Sequence, residues 1–349
     1  MEVCRHPKVL KRLCMNCGQM MDSKYGVAFD YLGRGLRLSY EEIARLKDTN
    51  SSKLLAEKKL QLVLDLDNTL LHSKLLKDLK PKEKYLKNQT DDMFMIEIGG
   101  KLVTIKLRPL VRNFLKEVSS MFEMYIYTMG SRDYAKHMAH LLGKDYFEKR
   151  VISRDDSINK EKKSLDLVLG HESGVIILDD NYKVWPDHHK NLILMKIFTY
   201  FSRSSKRKSR KKDKLSESDG NGVLPYILTV LREIHGMFFS PNMSRDVRML
   251  LREIRGRILK GCIVFFVDVD ENKYQPGISN QAEELGAECT TILDSSVTHV
   301  VVTARTKEIT GDSVLWAQLE KKILVHPWWI YITYLLWHRQ PEDKFPTLN

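Results

Sequence analysis

Leu62-Val63-Leu64-Asp65-Leu66-Asp67-Asn68-Thr69-Leu70-Leu71-His72-Ser73 is an apolar run that breaks into two acids, an amide and a hydroxyl. A short apolar run closed by polar residues reads as a strand buried on both faces of a parallel sheet. In open α/β sheets ligands sit just beyond the carboxyl ends of the strands, so two carboxylates and a hydroxyl emerge where a ligand binds. Asp65 and Asp67 are two positions apart, which on a regular strand puts them on one face. Like charges there are costly unless a cation neutralises them. A hard divalent ion with oxygen ligands, Mg2+, answers that need. One carboxylate then attacks phosphorus to form an aspartyl-phosphate, and the other protonates the leaving oxygen and later deprotonates water. The structural alternative is an N-capping turn or a buried ion pair.

Composition sets the frame. A chain of 349 residues predicts two or three domains, and 43% hydrophobic content is ample for packed cores. A net charge of +12 and a pI of about 9.3 favour an acidic partner. No run of eighteen apolar residues occurs, so no membrane span is expected. The start Met-Glu-Val-Cys lacks an apolar h-region, so no secretory signal is expected. Five cysteines, an odd number, argue for a reducing compartment over a disulfide framework.

Two further strand ends accompany the first. Met121 to Thr128 reads as a core strand ending in a hydroxyl, followed by Gly130, Ser131 and a helix over about Arg132–Leu142. That arrangement presents Thr128 and backbone N–H groups to an anion at a helix N-terminus. Val175 to Asp180 reads as a third strand ending in Asp179 and Asp180, which complete a metal site begun by Asp65. Between them, residues 150–163 carry several basic groups, any of which can meet a phosphate. Residues 94–107 alternate around Gly99-Gly100 and read as a hairpin. Pro109 opens a helix to about Ser120. The polar stretch 74–92 reads as an excursion that gates the site.

Upstream, Cys14-x-x-Cys17-Gly18 is a knuckle of the zinc-binding kind, and Cys4 with His6 completes a set of four ligands. The alternative is a flexible basic arm with free thiols. Residues 39–59 read as a helix capped by Ser39 with Glu41 and Glu42 in its first turn. Downstream, residues 203–214 carry eight basic residues and one acid, which is +7 of the chain's +12. This run, continued by a polar, Gly-rich segment to 222, reads as a disordered insertion: a nuclear localisation signal, an arm for nucleic acid, or a solubilising loop. Residues 225–239 space Ile227, Val230, Leu231 and Ile234 as one helix face.

Taken together, LDLDNTLLHS, YIYTMGSRDYA, SRDD and ILDD near Trp185 resemble the RNA polymerase II C-terminal-domain phosphatases, a haloacid-dehalogenase-like family with a DxDxT motif. They resemble especially the plant C-terminal-domain phosphatase-like members, and the Cys-x-His start resembles that family too. The resemblance implies Asp65 as nucleophile and Asp67 as general acid and base, also touching the metal through its backbone carbonyl. It implies Thr128 and Lys163 as holders of the phosphoryl group, with Lys162 the alternative. Arg154 and Thr69 would bind substrate, Asp180 would ligate the metal, and Asp179 would support it from behind. Mg2+ is the implied cofactor, with Mn2+ or Co2+ able to substitute, and zinc is the candidate at the N-terminus.

Residues 255–341 form a separate unit in which strands over Ile258–Val267, Ser296–Val302 and residues 323–326 alternate with helices, the last opened by Pro327, Trp328 and Trp329. RGRILKGC, LGAECT, THVVVT and VHPWWI resemble a BRCT domain, with Trp329 as a core anchor. Phosphopeptide-binding BRCT domains use a Ser or Thr after the first strand and a Lys opening the second helix. Here FVDVDEN is acidic and Ser313 stands in place of the Lys; Lys307 could serve instead, but nothing in the sequence favours it. Protein–protein docking is therefore expected, without a strong phosphate pocket.

The expected architecture is a haloacid-dehalogenase-like parallel α/β sheet flanked by helices and followed by a small α/β BRCT-like domain. The expected bounds are 1–54 for the arm and first helix, 55–250 for the catalytic domain and 251–349 for the BRCT-like domain. The function implied is Mg2+-dependent hydrolysis of phosphoserine in the heptad repeats of RNA polymerase II, in the nucleus. Two readings stand beside it: a non-catalytic nuclear BRCT scaffold, and a phosphatase acting on nucleic-acid phosphate termini.

Overall fold

In the computed structural model the described residues are 4–80, 92–157, 159–201, 222–274, 276–303 and 312–347. The basic run 203–214 and Lys307 lie outside them. The chain folds as two compact units, Met1–Val247 and Arg248–Asn349.

The first unit opens on a small antiparallel sheet that the sequence did not announce. Its strands β1 (Lys8–Leu10), β2 (Leu13–Cys14), β3 (Val27–Ala28) and β4 (Leu36–Leu38) are only two or three residues long and order as β2-β1-β4-β3. Such short strands carry no readable periodicity. Helix α1 (Tyr40–Ala56) follows as expected, with Ser39 Oγ accepting the Glu42 N–H at 3.1 Å.

Strand β5 (Leu60–Leu64) is buried at every position. Even Gln61 is buried, its Nε2 donating to Glu123 and to the Leu169 carbonyl. After the DLDNT turn comes β6 (Leu71–Leu75), then β7 (Met93–Ile98) and β8 (Lys101–Leu107), which form an antiparallel sheet in the order β6-β8-β7. The hairpin around Gly99 and Gly100 is as read. The start of the expected polar excursion is instead strand β6, because pairing to β8 across thirty residues decides it and local composition does not.

Helix α2 (Val111–Ser119) leads to β9 (Phe122–Tyr127), α3 (Arg132–Phe147), β10 (Val151–Ile152), β11 (Val175–Asp179) and β12 (Leu192–Leu194). These strands make a parallel sheet in the order β10-β9-β5-β11-β12, the expected core. Helix α3 runs past the expected end at Leu142 after a break at Gly143, whose φ of +126° suits glycine. Helix α4 (Val223–Phe238) buries Ile227, Val230, Leu231 and Ile234, the face read from the sequence, and packs beside α2.

The second unit begins within α5 (Val247–Arg255), an amphipathic helix that buries Leu250, Leu251 and Ile254. Then come β13 (Ile263–Val267), α6 (Ile278–Glu284), β14 (Glu288–Thr290), β15 (His299–Val302), α7 (Asp312–Leu319), β16 (Ile323–Val325) and α8 (Trp328–Leu336). The sheet is parallel in the order β14-β13-β15-β16. Its first strand starts at Ile263, not at Ile258, because Gly261 takes a left-handed φ of +86° and ends the preceding turn there. Trp329 is fully buried, stacked on His299 and donating Nε1 to the Gln340 carbonyl at 2.8 Å. Asp268, Asp270 and Glu271 follow β13, and Ser313 stands in the first turn of α7.

Candidate active site

Leu64 at the end of β5 lies opposite Ile126 on β9 and Leu178 on β11. The three strands therefore end level, and the residues just beyond them converge: Asp65, Thr128, Asp179 and Asp180. The DLDNT turn closes on itself, the Leu66 carbonyl accepting the N–H groups of Leu70 at 2.9 Å and Thr69 at 3.2 Å. Asn68 takes a φ of +63°, a conformation asparagine adopts more readily than most residues. Beneath the turn Arg108, 0% exposed, donates to the Thr69 and Lys196 carbonyls, each at 2.8 Å.

Lys163 joins the strand ends. Its Nζ stands 2.6 Å from Asp65 Oδ1 and 2.6 Å from Asp179 Oδ2, with its side chain 1% exposed. Lys162 is exposed, so of the two lysines only Lys163 enters the site. The Lys163 N–H donates to the Val184 carbonyl at 2.8 Å, which aims the side chain inward. Burial disfavours its charge, but Asp179 and Asp65 outweigh burial and raise its pKa above the ordinary lysine value. Asp179 carries two further hydrogen bonds: Oδ2 also accepts Trp185 Nε1 at 2.9 Å, and Oδ1 accepts the Asn181 N–H at 2.8 Å. Its placement is that of a support for Lys163.

The carboxylates of Asp65, Asp179 and Asp180 offer oxygens that all lie within 4.8 Å of one another. Two buried acids and the half-buried Asp180 against one lysine leave an excess of negative charge. Burial first, then Asp179, pushes the Asp180 carboxyl up to about 7. Burial, opposed by Lys163 and reinforced by Asp179, lifts Asp65 well above the usual carboxylate range. A divalent cation relieves that repulsion, and all-oxygen donors suit Mg2+. The donor set therefore fits the metal, with Asp65 and Asp180 the acids that retain coordinating capacity.

The carboxylate of Asp67 lies outside this trio. Tyr134 Oη donates to its Oδ1 at 2.6 Å, and Ser73 Oγ donates to the same oxygen at 2.9 Å. Burial raises the Asp67 carboxyl, and these two hydrogen bonds pull it partly back. Both hydrogen bonds fall on Oδ1 of Asp67.

Thr128 is buried, and its Oγ1 accepts the Gly130 N–H at 3.0 Å. Arg154 is tethered beside it, its N–H donating to the Gly130 carbonyl at 3.0 Å while the side chain remains exposed. Thr69 departs from its assignment. It is 0% exposed, its Oγ1 accepts the Asp180 N–H at 3.1 Å and donates to Asp180 Oδ1 at 3.4 Å. It holds the acid and has no surface for a substrate.

Sequence reasoning missed Tyr134, Ser73 and Arg108 as contributors. Ser73 and Tyr134 stood within the quoted motifs, but nothing local pairs a serine and a tyrosine 61 residues apart. A buried arginine carries no sequence signal at all. At the N-terminus Cys4, His6, Cys14 and Cys17 do come together, donor atoms within 4.8 Å of one another.

Residues 60–218 match the NLI interacting factor-like phosphatase family, and residues 255–331 match the BRCA1 C Terminus (BRCT) domain. The fold and the acidic site are thus those of a phosphatase joined to a BRCT domain. The RNA polymerase II C-terminal domain phosphatase-like 4 of Arabidopsis thaliana is 44% identical over 98% of this chain and 82% of its own length. The RNA polymerase II C-terminal domain phosphatase-like 3 of the same plant is 33% identical over 87% of this chain and 26% of its own length. The solved structure of Fcp1, an essential RNA polymerase II CTD phosphatase, superposes with a TM-score of 0.67 at 23% identity, covering 86% of this chain and 99% of that one; it establishes the likeness of fold. The chain belongs to the RNA polymerase II C-terminal-domain phosphatase family, and by that membership it is a protein phosphatase.

Proposed function

We propose that this protein removes phosphate from serines in the C-terminal heptad repeats of RNA polymerase II, in the nucleus, through an aspartyl-phosphate on Asp65. The observation that carries the reading is the Lys163 Nζ, 2.6 Å from the would-be nucleophile Asp65 and from Asp179 alike, with Asp180 beside them. The names of its relatives support the substrate.

The phosphoserine phosphate enters at the level strand ends. A free oxygen of Asp65 attacks phosphorus in line with the serine oxygen. The P–O bond to serine breaks as the new P–O bond forms, and protonated Asp67 gives its proton to the departing serine oxygen. Lys163, whose hold on Asp65 loosens as that carboxylate loses its charge to the ester, turns to the phosphoryl oxygens. The Thr128 hydroxyl, oriented by the Gly130 N–H that its Oγ1 accepts, serves the same oxygens. Asp65 and Asp180 would hold Mg2+, which when bound would neutralise charge on the phosphoryl group. Water then attacks phosphorus, Asp67 takes its proton, and the Asp65–phosphate bond breaks to release inorganic phosphate. Tyr134 and Ser73 keep Asp67 oriented through both proton transfers.

The BRCT domain serves as a docking module for protein partners. Acids after β13 and Ser313 on α7 disfavour a strong phosphate pocket. The +7 run at 203–214, outside the described residues, fits import into the nucleus.

Turnover of a site-specifically phosphorylated heptad-repeat peptide, with and without Mg2+, tests the proposal. Hydrolysis requires the metal and is abolished in Asp65→Asn and in Asp67→Asn. Wild-type turnover by Asp65→Asn overturns the covalent route. Faster hydrolysis of a 3′- or 5′-phosphorylated oligonucleotide than of the peptide moves the substrate to nucleic acid. No Mg2+-dependent turnover of either leaves the scaffold reading.

A further inference from the structure

Among the described residues one cluster of metal-type donors lies outside the acidic site and goes unused by the mechanism. We propose that Cys4, His6, Cys14 and Cys17 hold one Zn2+ in a closed tetrahedral site, and that this ion staples the N-terminal sheet against the segment that follows Lys163.

The distances carry it. The thiols of Cys4 and Cys14 lie 3.8 Å apart, and Cys17 Sγ lies 3.3 Å from His6 Nδ1. In a tetrahedron with Zn–S bonds of about 2.3 Å the sulfur–sulfur edge is about 3.8 Å. A disulfide needs about 2.05 Å between sulfurs, so the four groups are spaced for an ion between them and not for a bond.

The backbone is that of a metal knuckle. Gly18 takes a φ of +76° and donates its N–H to the Cys14 carbonyl at 2.9 Å, turning the chain back within four residues. The Asn16 N–H points at Cys14 Sγ at 3.4 Å, a donor suited to a thiolate. Tyr25 Oη bonds the carbonyls of Arg5 and His6 at 3.1 and 3.0 Å, fixing the other ligand pair. Three thiolates and an imidazole are soft donors with no position left open, which selects zinc over Mg2+ and makes the site structural.

The sheet needs such a staple. Within residues 4–38 the only buried apolar side chains are Val9, Phe29 and Leu38 alongside Cys14, too little apolar surface to order some thirty residues. Its link to the catalytic core is direct: Tyr31 Oη donates to the Leu167 carbonyl at 2.6 Å, and Leu165–Leu167 lies immediately beyond Lys163 and Ser164. Loss of the ion frees the sheet and, with it, the support for that segment.

Metal analysis of the full-length chain after removal of Mg2+ by EDTA at neutral pH tests this. One zinc per chain remains. It stays in Asp65→Asn and in His6→Cys, and it is lost in Cys14→Ser combined with Cys17→Ser. Cobalt exchanged into the wild-type chain gives the visible absorption of a tetrahedral thiolate complex, a readout that does not depend on the variants folding. Zinc stripping raises hydrogen exchange at Leu165–Leu167. A zinc-free wild-type chain whose residues 4–38 resist protease as well as the zinc-loaded one, or zinc retained by the double variant, overturns the site. Unchanged exchange at Leu165–Leu167 on stripping overturns the staple.

Discussion

Tyr134 Oη donates to Asp67 Oδ1 at 2.6 Å, from the first turn of a helix that the chain reaches 67 residues later. A hydrogen bond to a charged group contributes roughly 1.5–3 kcal/mol, so Tyr134→Phe is expected to lower kcat by about tenfold. The bond also opposes the upward push that burial gives Asp67. Its loss raises that carboxyl further, so the alkaline limb of the kcat profile, where the acid loses its proton, moves to higher pH. A pH profile on the phosphopeptide checks both effects; a change in KM alone speaks against them.

Lys163 balances two buried acids. Lys163→Met leaves Asp65 and Asp179 facing each other uncompensated, and is expected to cost about 3–5 kcal/mol of stability as well as activity. Adding Asp179→Asn recovers much of the urea midpoint and none of the turnover. Recovery of both would mean that the lysine serves the fold alone.

Thr69 reaches Asp180 with its hydroxyl. Groups that orient a ligand typically change metal affinity by at least about tenfold when removed. Thr69→Val is therefore expected to raise the Mg2+ concentration for half-maximal activity by about that factor, and Thr69→Ser to restore it. A shift in peptide KM at saturating Mg2+ would return Thr69 to the substrate.

The raised carboxyls set a pH dependence of stability. An acid whose folded pKa exceeds its unfolded one binds more protons when folded, so stability falls as pH climbs from the model-peptide value of 3.8 towards the value of about 7 given to Asp180. Metal binding removes this loss but must displace the proton below that range. The rise in Tm produced by Mg2+ is thus expected to be larger at about pH 8 than at about pH 5.5. Calorimetry at the two values tests it, and an equal or reversed gain contradicts it.

Arg108 ties the underside of the DLDNT turn to the Lys196 carbonyl. Arg108→Met removes a donor from the buried Thr69 carbonyl and from the half-buried Lys196 carbonyl, and is expected to destabilise by about 2 kcal/mol. A lowered Tm with the Mg2+ requirement unchanged is the expected pattern.

Much of the fold was open to a reader of the chain. Three strands announced themselves because apolar runs buried on both faces leave a continuous trace. Helices α1 and α4 did so through a cap and a face. What escaped was carried by pairing at a distance: β6 against β8, and the N-terminal strands, too short to show a period. Thr69 was misassigned because a hydroxyl beside two catalytic acids looks the same in sequence whether it faces solvent or Asp180.

The amino-acid order alone therefore determined which chemistry was available: Asp65, Asp67, Thr128, Lys163, Asp179 and Asp180 at strand ends, and four soft ligands near the start. Tertiary structure decided which partners hold them: the Val184 carbonyl on the Lys163 backbone, Trp185 and Asn181 on Asp179, Thr69 on Asp180, Tyr134 and Ser73 on Asp67. The reason is physical. Strand identity follows from local burial that composition records, whereas a hydrogen-bond partner is chosen by register and depth, and those exist only once remote segments have packed.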